Sequence, residues 1–92
     1  IHMKMFNTPK FVEMAPGHFQ AKQQFGQYQL SVVLLPGKTT YEIALFDDDT
    51  FVQLPGIHPD YYTEYSDDVI PGLLPTDVDL IMMKLYMMWA YA

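Results

Sequence analysis

The chain has 92 residues, half of them apolar and 15% aromatic, and carries 11 acids against 5 basic side chains, all lysine, for a net charge of −6. So apolar a composition cannot stay disordered in water and fits one small globular domain, which at this length buries roughly 60–65% of the surface its unfolded chain exposes. The lack of cysteine excludes a disulfide framework, a thiolate zinc site and a cysteine nucleophile, and the lack of arginine together with the acidic balance argues against direct binding of a phosphate backbone.

Ile1-His2-Met3 reads as a cloning remnant, leaving 4–92 as a single small domain. Lys4 and Lys10 are not followed by the apolar stretch of a signal peptide, which together with the missing cysteines fits a reducing compartment. Met5 to Ala15 reads as an N-terminal arm able to fold back on the rest of the chain. From His18 onward the side chains alternate with the two-residue period of a strand with one wet face. Phe19, Ala21 and Phe25 alternate with His18, Gln20, Lys22 and Gln24; Tyr28, Leu30, Val32 and Leu34 alternate with Gln27, Gln29 and Ser31. Gly26 between the two runs suits either a tight turn or a bulge in one bent strand.

"PGK", Pro36 to Lys38, is a turn signal, and beyond it Tyr41, Ile43 and Leu45 point one way while Glu42 points the other, which completes a hairpin. The stretch "LFDDDTF", Leu45 to Phe51, then places Asp47, Asp48 and Asp49 before another short strand, Phe51 to Leu54. Aspartate suits hairpin loops because it bonds nearby amides and tolerates left-handed geometry. As an EF-hand loop the run fails, since Val52 and His58 stand where glycine and a bidentate glutamate belong. No metal or other cofactor is expected.

Ile57 to Leu74 is rich in Pro, Asp and Tyr and reads as a long surface connection. Its cluster of Asp60, Tyr61, Tyr62, Glu64, Tyr65, Asp67 and Asp68 has the composition of an interface, tyrosine giving rigid contact area and carboxylates giving polarity. The plainer reading is that some of these rings finish a thin core.

The last segment is a helix from about Thr76 to Tyr91, with Thr76 as its cap and Asp77 and Asp79 at the positive end of its dipole. Val78, Ile81, Met82, Leu85 and Trp89 form a core stripe at 3-4-3-4 spacing. Leu80, Met83, Tyr86, Met87, Met88 and Tyr91 make the remaining cylinder apolar as well, and one sheet covers only one side of a helix. A second copy of the chain, the N-terminal arm, a foreign protein or a lipid surface would cover the rest; self-association is the favoured reading, because exposed apolar patches mark interfaces.

Catalysis lacks its parts. His18 and His58 are the histidines beyond the first three residues, Ser31 and Ser66 are the serines, and there is neither a G-x-S-x-G nor a phosphate-gripping glycine loop. His58 with Asp60 is the nearest thing to an acid–base pair, and a proline-flanked turn histidine accounts for it as well. From Thr39 to Met83 there are ten acids and no lysine or arginine, so this half of the chain is a polyanion, better suited to a basic protein partner than to nucleic acid or membrane.

The order of "AKQQFGQYQLSVV" (21–33), "YEIALFD" (41–47) and "DDVIPGLLPTDVDLIMMKL" (67–85) resembles a pattern in small proteins of unassigned function encoded by tailed bacteriophages. Those read as a glycine-tyrosine turn, a "SVV" strand, a "YE-x-A" strand and a "DDVIG-x-L" segment leading into a terminal helix. Here "GQY" stands for Asn-Gly-Tyr and "VIPGL" carries an extra proline. The resemblance implies a phage or prophage accessory protein working in the bacterial cytoplasm, and no particular activity.

The sequence therefore predicts an α+β fold: an antiparallel meander of three to four strands with one C-terminal helix packed across one face. The expected function is non-enzymatic: a homodimer, associating through Leu80, Met83, Tyr86, Met87, Met88 and Tyr91, that binds a host or phage protein through the acidic surface of Asp47, Asp48, Asp49 and the 60–68 cluster. The alternatives are a virion structural or assembly component joined by the apolar helix, and an inhibitor that mimics nucleic acid to block a host defence or DNA-binding protein.

Overall fold

A computed structural model describes residues 10–54, 56–59 and 68–89. Six strands and one helix follow in the order β1 (Val12–Ala15), β2 (His18–Phe25), β3 (Tyr28–Leu34), β4 (Tyr41–Asp47), β5 (Thr50–Val52), β6 (Val69–Leu73) and α1 (Pro75–Trp89). The first five form an antiparallel meander in sequence order, and β6 returns to pair with β4. The fold is α+β as the periodicities predict, with more strands than the expected three to four.

Both extra strands lie where strand patterning is weak. The arm expected from Met5 to Ala15 ends as β1, an edge strand on β2 whose four residues are all exposed and whose pairing is interrupted between Glu13 and Ala15. A strand with no buried face leaves no alternation to read. The other, β6, lies in the stretch read as a long connection. It contains Pro71, tolerated because β6 borders the sheet, and two of its residues, Pro71 and Gly72, oppose Glu42 alone. β5 and β6 divide the outer edge of β4 between them, β5 along Leu45 to Asp47 and β6 along Tyr41 to Ala44.

Gly26 resolves as a turn, since Phe25 pairs with Tyr28 and leaves Gly26 and Gln27 as a two-residue loop. Pro36-Gly37 makes a tight turn closed by the Lys38 N–H donating to the Leu35 carbonyl at 3.1 Å. Gly37 at φ 75° supplies the left-handed step that such a turn needs after proline.

Registers align the core in rows. Ala21, Val32, Ile43 and Ile70 stand side by side across four strands, and Gln23, Leu30, Leu45 and Val52 make the next row. The helix α1 lies across β2, β3, β4 and β6 on this face and buries Val78, Ile81, Met82 and Leu85, four of the five residues of the predicted stripe; the side chain of Trp89 lies outside the described residues. Ile57, in the turn after β5, is also buried in this core, so part of the expected surface connection is interior.

The helix starts one residue earlier than expected, and Thr76 is not its cap. Pro75 takes the first helical position, for which its fixed φ is suited, and so moves the cap to Leu74. The Leu74 carbonyl accepts from the Val78 N–H at 3.1 Å, and the Leu74 N–H donates to Asp77 Oδ2 at 2.8 Å. Asp77 thus fills the reaching-back half of a capping box.

Candidate functional site: the acidic loop end of the sheet

Two hairpin loops adjoin at one end of the sheet because Tyr28 pairs with Asp47, which brings Gly26-Gln27 next to Asp48-Asp49. The three aspartates have different positions. Asp47 ends β4, half-buried, and its Oδ2 accepts from Gln27 Nε2 at 3.0 Å, tying the two loops together. Asp48 is the one non-glycine residue with positive φ among the described residues, at 55°, and Asp49 completes a two-residue loop before Thr50. Both are exposed. The expectation that these residues turn the chain is met, with the turn confined to the second and third.

Gln24, Gln27, Gln29, Asp48 and Asp49 line a concavity of about 450 Å³ at this end. Gln24 donates to the carbonyl of Gly26 at 2.9 Å and so braces the loop. Its lining offers amide and carboxylate oxygens and no cation, which makes it a surface of acceptors with a negative field. The glutamines were not singled out from the sequence. Their signal was there in the hairpin, since two-residue closure at Gly26-Gln27 forces Gln24 and Gln29 opposite each other.

The same row continues across the sheet as Phe46 and Phe51, whose rings lie 4.6 Å apart, on the face that α1 does not cover. Val33, Ala44 and Val69 share that face with Gln20, Lys22 and Ser31. Ser31, expected on a wet face, is only 4% exposed: its neighbours shade it and its Oγ accepts from Gln20 Nε2 at 2.9 Å.

Of the second acidic group, Asp68 is described. It directly precedes β6, and its Oδ1 accepts from Gln53 Nε2, just after β5, at 3.2 Å. Asp60, Tyr61, Tyr62, Glu64, Tyr65 and Asp67 lie outside the described residues, as does Tyr91.

The residues expected to mediate self-association separate into two sets. Met83 and Tyr86 are partly buried and pack against the protein's own core. Leu80, Met87 and Met88 remain in solvent at 47, 74 and 51% exposure, with Lys84 among them on the outer side of the helix. The uncovered apolar surface is therefore narrower than the helical wheel suggests, because the protein's own core takes up Met83 and Tyr86.

His18 begins β2, whereas His58 lines a different concavity with Gly56, Pro59 and Lys84. Ser31 is bonded to an amide. Among the described residues no group of three histidine or carboxylate side chains is placed to hold a metal ion, and no helix is long and apolar enough to cross a membrane. Comparison of the chain with protein-family models, with curated proteins and with solved structures found no match.

Proposed function

We propose that this is a non-catalytic interaction domain of phage or prophage origin that docks a basic surface of a host or phage protein in the bacterial cytoplasm. The observation that carries the reading is the loop end of the sheet, where Asp48 and Asp49 are exposed beside three glutamines with no cation in the lining. Carboxylates and amide carbonyls in one concavity suit lysine or arginine side chains, and a field of one sign speeds the encounter with an oppositely charged partner.

Capture from a bacterial lysate at low salt tests it, comparing the wild type with the Asp48→Asn/Asp49→Asn double variant. The expected result is a partner retained by the wild type, released as salt rises, and missing from the variant. The same proteins on both columns would refute the assignment of the site.

Self-association is the second element of the proposal, supported by the outward-facing Leu80, Met87 and Met88. It lies on the outer side of the helix, on another element than the acidic loops, so a homodimer would present two docking ends at once and gain affinity through avidity.

A further inference from the structure

Another concavity lies at the other end of the sheet, beside the bulge in β6. The pairing of β4 with β6 passes from Tyr41 opposite Leu73 to Ile43 opposite Ile70, so that Pro71 and Gly72 together face Glu42. A bulge bends its strand and re-aims neighbouring side chains. The turn after β3 closes the other wall, and Leu35, Lys38, Thr40, Glu42, Pro71 and Gly72 enclose about 260 Å³. That space is just below the range of drug-sized sites and fits a ligand of a few heavy atoms.

The lining residues include a lysine, a glutamate and a threonine beside the apolar Leu35 and Pro71. Among the described residues, the side chains of Lys38, Thr40 and Glu42 make no ion pair or hydrogen bond with one another or with a third group. A cation and an anion that share a cleft without neutralising each other leave it dipolar. A simple anion would meet Glu42 and a simple cation would meet Lys38, so a single charge of either sign faces one repulsion. A zwitterion meets neither.

We infer that this cleft binds a small zwitterion of the α-amino acid class. Its ammonium donates to the Glu42 carboxylate, its carboxylate accepts from the Lys38 ammonium and the Thr40 hydroxyl, and a short aliphatic side chain lies against Leu35 and Pro71. The long stem of Lys38 lets its charge follow the ligand. The space beside Gly72 is open, since a Cβ there would meet nothing within 4 Å.

Amide NMR titration with three probes tests this: L-valine, N-acetyl-L-valine, which lacks the ammonium, and L-valinamide, which lacks the carboxylate. L-valine is expected to shift the amides of Thr40, Glu42 and Gly72 saturably, with each blocked analogue at least tenfold weaker. Lys38→Ala, at an exposed position, and Glu42→Gln, at a half-buried one, should each lose the L-valine response while keeping the dispersed spectrum of the fold. No saturable response to L-valine, or equal responses to the three probes, would overturn the inference, and the probe comparison stands without either variant. Because Asp48 and Asp49 lie at the opposite end of the sheet, failure here leaves the acidic docking site untouched.

Discussion

Asp48 shows how one residue in a run of like residues takes a role of its own. At φ 55° it occupies left-handed backbone that costs an ordinary L-residue about 1–2 kcal/mol, a cost smallest for glycine, asparagine and aspartate. Asp48→Gly is expected to leave stability within about 0.5 kcal/mol, whereas Asp48→Val should lose about 1–2 kcal/mol in denaturant unfolding. Equal melting of the two variants would contradict a conformational role. Asn at this position keeps the backbone tolerance and removes the charge, which makes it the right substitution for binding studies. The helix cap gives a second contrast. Asp77→Ala should cost about 1 kcal/mol through loss of the bond to the Leu74 N–H, and Thr76→Ala only a few tenths, as read from the same unfolding curves. Thr76 reads as the cap in sequence because a capping residue commonly precedes the first acids of a helix; the fixed φ of Pro75 moves the cap back by two residues, to Leu74.

At the scale of elements, the two faces of α1 should respond oppositely to substitution. Leu85→Ala or Ile81→Ala removes a fully buried side chain and should cost about 2–5 kcal/mol, whereas Met87→Glu should change monomer stability by no more than about 0.5 kcal/mol. A large loss from Met87→Glu would mean that its side chain is interior. The elements legible in the sequence are those with one buried face and a distinct turn: β2 and β3 with their glycine loop, β4 after Pro36-Gly37, and α1. The ones missed lacked that signal for separate reasons. No residue of β1 is buried, and β6 carries a proline and a bulge that break the two-residue period. The candidate site was half legible. Three aspartates between apolar runs announce a loop, but the glutamines that surround it come from a neighbouring hairpin, and only strand register brings Gln24 and Gln29 to it.

Over the whole molecule, the described residues place the candidate surfaces on different elements. The loop end of the sheet carries the aspartates, α1 presents Leu80, Met87 and Met88 on its outer side, and Lys38 sits at the opposite turn. If the helix stripe joins two copies, light scattering at micromolar concentration should give the mass of a dimer for the wild type and of a monomer for Met87→Glu, with salt leaving the dimer intact because apolar contacts are not screened. A wild-type monomer would remove self-association and leave docking at the acidic end as a property of the single chain. That docking is most directly measured as the dissociation constant for the captured partner across a salt series, for the wild type and for Asp48→Asn/Asp49→Asn. The wild type should bind at least about tenfold more tightly at low salt, roughly 1.4 kcal/mol, with the two curves converging as screening rises. Superimposed curves at every salt concentration would place the binding surface elsewhere on the protein.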